Sequence, residues 1–197
     1  MPFETLSITG DTHGPQEGRG VCLDPAPLFE NVVERERGGF CFERNGAFAL
    51  LLRDIGLDLE VLAARMLTDD GARPPANHRT ALVRFDRPSL VDVGMGVPTM
   101  RRTVPRDRSS FATTCESLAT APESSFTGTP TCSVATDAGH RKLTASTVTR
   151  SVGSDTESRE VDPAEWHRIL REGFGIDLPT AAGETAEPSV SDGGAKG

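Results

Sequence analysis

The spacing of apolar residues along this chain switches between helical and strand periods, and the switches predict most of its elements. Asp24-Pro25 supplies an N-cap with proline in the first turn, and Leu28, Val32 and Val33 form the stripe of a short helix ending before Gly38-Gly39. From about Cys41 to Asp54, Phe48, Leu51, Leu52 and Ile55 fall at the i, i+3, i+4, i+7 spacing of a buried helical face, with Gly56 as the cap. The period then drops to two, as Leu57, Leu59 and Val61 alternate with Asp58 and Glu60. Residues 69–75, rich in Asp, Gly and Pro, predict a loop. A hairpin follows, with Ala81, Val83 and Phe85 on one strand, Asp86-Arg87-Pro88 at the turn and Leu90 to Val93 returning. Residues 98–110 are arginine-rich and show no strong period. The remainder reads as β-rich: Cys132 to Thr136 and Arg141 to Ser146 flank an Asp-Ala-Gly turn, and Thr147 to Val152 add a strand. Asp162, Pro163 and Glu165 then open a helix bearing Trp166, Ile169 and Leu170, which Gly173 is expected to stop. Residues 1–23 are glycine-rich without clear period and read as the interior of a domain rather than its start. Residues 179–197 read as a disordered tail.

Composition narrows the function classes. The 197 residues are 36% hydrophobic, enough for a core with little to spare, and carry a formal charge of −8. Nucleic acid is excluded as a partner, because phosphate binding needs a concentrated basic face and Lys142 and Lys196 are the only lysines. An acidic, lysine-poor surface also suits a salt-adapted protein, since screening at high salt removes the cost of self-repulsion. No run approaches the roughly 20 apolar residues that span a bilayer, and no basic-then-apolar leader opens the chain, so a cytoplasmic protein without membrane contact is expected. Cys22, Cys41, Cys115 and Cys132 form no CxxC pair and match neither a zinc site nor a disulfide framework. Reduced thiols are the default, which leaves one free to act as a nucleophile.

Cys41 is the candidate. It follows Arg37-Gly38-Gly39-Phe40 at the start of the predicted helix, where unpaired N–H groups and about half a positive charge favour a thiolate. The plainer alternative is a small buried cysteine at a turn. His78 and Asp92 lie about equally far from the turn near Phe85, so antiparallel pairing brings them together on one face. An imidazole held by a carboxylate on one nitrogen can take a proton from a thiol with the other. Cys22, Cys115 and Cys132 have no such base nearby and read as structural thiols. His13, His140 and His167, in a loop, a hairpin turn and on a helix surface, are not convincing ligands or bases.

These residues sit in motifs that together resemble the arylamine N-acetyltransferases. Arg-Gly-Gly-Phe-Cys-Phe-Glu-Arg-Asn at 37–45 resembles the family's nucleophile motif, and Leu-Val-Asp-Val-Gly-Met-Gly at 90–96 the motif of its triad aspartate. His78, followed closely by Ala-Leu-Val, matches the triad histidine. Met-Pro-Phe-Glu at 1–4, Ala-Pro-Glu-Ser-Ser-Phe at 121–126 and Phe-Gly-Ile-Asp-Leu at 174–178 resemble further family segments. The resemblance implies an α+β fold: a cysteine-protease-like helical segment, β-barrel-type strands and a C-terminal α/β portion, shortened relative to the family. It divides the chain at 1–56, 57–110 and 111–178, with the tail at 179–197. Set against the family pattern, the sequence is expected to lack the helical segment ahead of Pro-Phe-Glu and to have much of the barrel after the aspartate motif reduced to a short stretch.

The same resemblance implies ping-pong transfer of an acetyl group from acetyl-CoA, through acetyl-Cys41, to an aromatic amine or hydrazine, with Cys41, His78 and Asp92 as the triad. No metal and no permanently bound cofactor are implied; acetyl-CoA is a co-substrate. Phe3 and Met95 would line the acyl and amine pocket, with Met95 standing where the family usually has phenylalanine. Gly94 and Gly96 would let CoA approach the backbone, and Glu4 would pair with Arg37 near the site. A related cysteine-triad amide synthase, a thiol hydrolase and an inactive remnant are the competing readings.

Overall fold

The computed structural model describes residues 1–68, 71–73, 76–95, 102–105 and 109–179. Gly96, much of the arginine-rich stretch, part of the 69–75 loop and the tail from residue 180 lie outside them. The chain starts with a two-residue strand, β1 (Phe3–Glu4), and a single helical turn, α1 (Leu6–Thr9). A further short helix, α2 (Pro25–Phe29), runs directly into a π-helical turn at Glu30–Glu34. The long helix α3 covers Cys41–Asp54, as its apolar spacing predicts.

Strand β2 (Leu59–Arg65) follows, then a small hairpin of β3 (Leu67–Thr68) and β4 (Gly71–Ala72). Strands β5 (His78–Val83), β6 (Ser89–Val91) and β7 (Arg102–Pro105) complete an antiparallel four-stranded sheet in the order β6-β5-β2-β7. Helix α3 packs on this sheet, and their joint core holds Phe40, Phe42, Ala49, Leu52, Val61 and Val83. Among the described residues neither this sheet nor the next closes on itself, so the barrel-type strands form an open sheet.

Helix α4 (Ser109–Thr120) corrects the β-rich expectation for this part of the chain. Its sequence carries Phe111, Cys115 and Leu118 at helical spacing, but Ser and Thr fill the positions between and mask it. Strands β8 (Cys132–Thr136), β9 (Gly139–Leu143), β10 (Thr147–Val152) and β11 (Asp155–Glu160) follow. Together with β1 they make a five-stranded sheet in the order β1-β8-β9-β10-β11, so the N-terminal strand pairs with the C-terminal half. Helix α5 (Pro163–Phe174) covers this sheet, burying Trp166, Leu170 and Phe174 against Cys132, Leu143 and Val161. It runs through Gly173 and stops at Gly175, where φ is +69°, two residues beyond the expected cap.

Glycines 38 and 39 do more than turn the chain. A Cβ on Gly38 would stand 2.3 Å from the Pro2 carbonyl oxygen, and one on Gly39 would stand 2.8 Å from Glu43 Oε2. Their bare backbone lets the N-terminal strand lie alongside, with the Glu4 N–H donating to the Gly39 carbonyl at 3.1 Å. This locks residues 1–4 against the entry to α3.

Candidate active site

Cys41 occupies the first position of α3 and is fully buried. Phe40, the residue before it, has no side-chain acceptor to cap the helix. Instead the Glu43 carboxylate reaches back and accepts the Phe40 N–H at 3.2 Å, the reciprocal half of a capping box. The Arg44 N–H donates to the Phe40 carbonyl at 3.0 Å, starting the helical ladder. The helix therefore begins at the cysteine, placing its sulfur at the positive end of the helix dipole.

The first turn of α3 is unusual in burying Glu43, Arg44 and Asn45 as well as Cys41 and Phe42. Buried polar groups need partners, and Asn45 finds three. Its Nδ2 donates to Asp92 Oδ1 at 3.0 Å and to the Arg79 carbonyl, while its Oδ1 accepts the Val93 N–H at 2.9 Å. Asn45 thus ties α3 to the segment following β6.

His78 opens β5 and is fully buried, and its Nε2 lies 2.7 Å from Asp92 Oδ2. The hairpin register differs from the sequence reading: Ala81 pairs with Val91 and Val83 with Ser89, which puts Thr80, rather than His78, opposite Asp92. The offset is two residues, so both side chains stay on one face and meet diagonally. Thr80 Oγ1 donates to the Val91 carbonyl at 2.8 Å and holds the strands where the ladder ends.

Burial by itself would raise the Asp92 carboxyl, but the hydrogen bond and charge of His78, with further bonds from Asn45 and the Gly94 N–H, hold it well below the usual carboxylate range. The Gly94 N–H donates to Asp92 Oδ1 at 2.8 Å. A Cβ on Gly94 would meet Asn45 Nδ2 at 2.4 Å and His78 Cε1 at 2.8 Å. The missing side chain is therefore required by the His78–Asp92 pair itself.

A second charged cluster lies beside Cys41. Arg37 Nη2 donates to Glu4 Oε1 at 2.9 Å, and Glu4, fully buried, also accepts the Leu6 and Ser7 N–H groups. Glu43 shares this neighbourhood. Burial first, then the charge of Glu4, push its carboxyl from 4.5 up to about 8. Burial likewise pulls the Arg44 guanidinium down to about 10, with Asp92 and Cys41 opposing the shift.

Phe3 is buried and Met95 half-buried in the same core as Cys41. Phe126, which the sequence does not single out although its segment stands out there, packs against the same core. Its ring lies 5.5 Å from that of Phe40, edge-on, and 6.4 Å from that of Phe3. Asn45 was also missed, although it closes the nucleophile motif; a lone polar residue one turn after a cysteine signals nothing until the fold brings Asp92 to it.

The other cysteines differ sharply in setting. Cys22 is exposed, while burial pushes the thiol of Cys115 up to about 12 and that of Cys132 well above its ordinary value. His167, read as a surface residue, holds the buried Asp11 at 2.7 Å, and His13 bonds the Ala145 carbonyl at 2.8 Å. Both fasten the 10–14 loop to the C-terminal half. Among the described residues no three side chains of His, Cys, Asp and Glu converge as a metal site requires.

The profile of the N-acetyltransferase family matches residues 1–104 and 100–182. The chain belongs to the arylamine N-acetyltransferase family. It is 39% identical over 102 residues to the arylamine N-acetyltransferase / N-hydroxyarylamine O-acetyltransferase of Salmonella typhimurium, a match covering 51% of this chain and 34% of that protein. An N-malonyltransferase of Fusarium pseudograminearum is 32% identical over 108 residues, covering 49% of this chain and 30% of that protein. This family member thus matches only about a third of the length of these curated relatives. Among solved structures, the arylamine N-acetyltransferase of Nocardia farcinica superposes with a TM-score of 0.78 at 24% identity, over 91% of this chain and 79% of that one. The Mycobacterium smegmatis enzyme gives 0.74 at 25% identity, over 90% and 81%. No helix among the described residues is long and apolar enough to cross a membrane.

Proposed function

We propose that the chain is an arylamine N-acetyltransferase working by ping-pong acyl transfer through Cys41. The observation that supports this best is the pairing of His78 Nε2 with a strongly acidic Asp92 at 2.7 Å, with Asn45 linking that aspartate to the helix that Cys41 begins. With Nε2 engaged, the Nδ1 side of the imidazole is the one that takes the thiol proton. The Cys41 thiolate then attacks the acetyl carbonyl of acetyl-CoA. The carbon–sulfur bond to CoA breaks, and the imidazolium returns its proton to the departing CoA sulfur. An aromatic amine or hydrazine next attacks acetyl-Cys41, giving the amide and restoring the thiol. The backbone N–H of Cys41, in the first turn of α3, is the first candidate donor to the oxyanion. Phe3, Met95 and Phe126 would form the apolar wall for the acceptor, and Gly94 with Gly96 would border the CoA path.

The test is incubation with acetyl-CoA followed by intact-mass analysis. A single acetyl adduct on Cys41, absent in Cys41→Ser and formed more slowly in Asp92→Asn, is expected. Lack of an adduct on folded protein sinks the proposal. The similarity to an N-malonyltransferase supports a second reading, in which malonyl-CoA is the donor, and a malonyl adduct formed faster than the acetyl one would establish it.

A further inference from the structure

On the flank of α3 away from the sheet, Leu51 and Ile55, expected in the core, are 55% and 64% exposed. Arg44 lies seven residues before Leu51 on that flank, yet it is only 7% exposed. Burying a guanidinium is costly, and burial pulls this one below its ordinary value. Helical side chains lean back over the preceding turn, and residues three apart have Cβ atoms about 5–6 Å from each other. Arg44 therefore leans toward the turn that Cys41 begins. Its Nη2 is held by the Met1 carbonyl at 2.8 Å, and the next carbonyl, that of Pro2, packs on Gly38, three residues before Cys41. A carbonyl is a neutral acceptor, so the contact fixes the guanidinium and leaves its charge uncancelled. Val93, the neighbour of Asp92, borders the same flank.

The other titratable and charged groups around this turn are in settled states. Arg37 is paired with Glu4 of β1. Glu43 faces that pair and Cys115 of α4; burial lifts Glu43 to about 8 and Cys115 to about 12, so both hold their protons at neutral pH. Arg79 of β5 donates to the Phe42 carbonyl at 3.4 Å. Against its burial, Asp92 is kept ionised by His78, Asn45 and the Gly94 N–H. Cys41 is the group whose charge is still to be decided, by the His78 imidazole and by Arg44. Coulombic attraction is reciprocal. Burial opposes the Arg44 charge while the anions of Asp92 and Cys41 favour it, so the Arg44 charge favours the Cys41 anion in equal measure.

We infer that Arg44 is a positioning residue for the proposed acyl transfer: fixed beside the first turn of α3, its guanidinium favours the thiolate of Cys41 without touching either substrate. The inference rests on Cys41 as the nucleophile. Arg44 does not act as the base, because a guanidinium keeps its proton near neutral pH, and His78 retains that task. In the second half of the reaction the amine attacks acetyl-Cys41, the carbon–sulfur bond breaks and its electron pair goes to the Cys41 sulfur. A fixed cation beside that sulfur eases this departure as well.

The ultraviolet absorbance of the thiolate, followed against pH in the full chain and corrected with the matching protein carrying Cys41→Ser, tests the inference without acetyl-CoA. Arg44→Gln, which can still donate to the Met1 carbonyl, should raise the Cys41 midpoint by about one pH unit, roughly a tenfold loss of thiolate on the acid side. Arg44→Lys, which keeps the charge, should restore most of that loss. A merely structural arginine would lower the melting temperature in both variants and leave the midpoint in place. An unmoved midpoint in Arg44→Gln, or an equal rise in Arg44→Lys, overturns the inference. So does a failure of Arg44→Gln and Arg44→Met alike to fold, because Arg44 is then a folding residue before its charge matters. If Cys41 of the unsubstituted chain titrates no lower than an ordinary thiol, about 8.5, the nucleophile reading falls, and the inference with it.

Discussion

Asn45 and Glu43 show how much of this site is carried by residues that do no chemistry. Asn45 satisfies Asp92, the Arg79 carbonyl and the Val93 N–H at once. Asn45→Ala strands those buried groups, so a loss of about 1–3 kcal/mol in stability is expected. A purely structural role would end there. As a positioning residue, Asn45 also lowers the Asp92 carboxyl. Its removal should slow Cys41 acylation and move the acid limb of the rate–pH profile to higher pH, and a profile unchanged in position would remove the residue from that role. Glu43 bears on stability instead. Its carboxyl titrates near 8 in the fold against an ordinary value of 4.5, so the folded state holds the proton more tightly than the unfolded chain. The stabilisation is complete below about pH 4.5 and is lost as pH rises through about 8. Melting temperature should therefore fall between pH 7 and pH 9, and Glu43→Gln, which still offers an acceptor to the Phe40 N–H, should flatten that fall. Parallel pH slopes in the two proteins would contradict the assignment.

At the scale of elements, the most legible parts of the sequence were those with both a period and a cap. Helix α5 is the clearest: Asp162 Oδ1 accepts the Ala164 N–H at 2.8 Å, Pro163 fills the first turn, and Trp166 donates from Nε1 to the Thr144 carbonyl at 2.7 Å. Asp162→Ala should cost about 1 kcal/mol, read from denaturant unfolding, while leaving acylation of Cys41 unchanged. Elements without an apolar stripe were not legible. Strand β11 is exposed along its whole length and is held by backbone pairing to β10, with hydroxyl contacts such as Thr149–Ser158 and Ser151–Thr156, both at 3.1 Å. The five-residue connection between Val83 and Ser89 explains the register difference in the hairpin that brings His78 and Asp92 together, since a turn centred on Phe85 rather than Asp86 shifts every pair by two. The site survived that difference because an even shift leaves each side chain on its original face. Periodicity also assigned Leu51 and Ile55 to the core, because it reports that a face is apolar and not that anything covers it.

For the whole molecule, the question is what a charge of −8 does to a fold with exposed apolar surface. Several of the exposed arginines are already engaged with carboxylates, as in Arg84–Glu60 at 3.1 Å and Arg168 between Glu165 at 2.8 Å and Glu172 at 3.1 Å. Such surface pairs contribute little each, about 0–1 kcal/mol, and salt screens them. The excess negative charge acts in the opposite sense, since it opposes compaction over distances that low salt leaves unscreened. At about 1 M salt the screening length is near 3 Å, shorter than most separations between unpaired surface carboxylates, so the repulsion is removed. Local pairs in contact lose less than long-range repulsion does, and the balance favours the folded chain. Melting temperature is therefore expected to rise from about 0.1 to about 2 M sodium chloride, with each gain of about 1 kcal/mol appearing as roughly 2–4 °C for a chain of this size. An equally concentrated solution of sucrose, which strengthens burial without screening charge, separates the two causes. If sucrose raises the melting temperature and sodium chloride leaves it flat, net-charge repulsion is not what limits the stability of this protein.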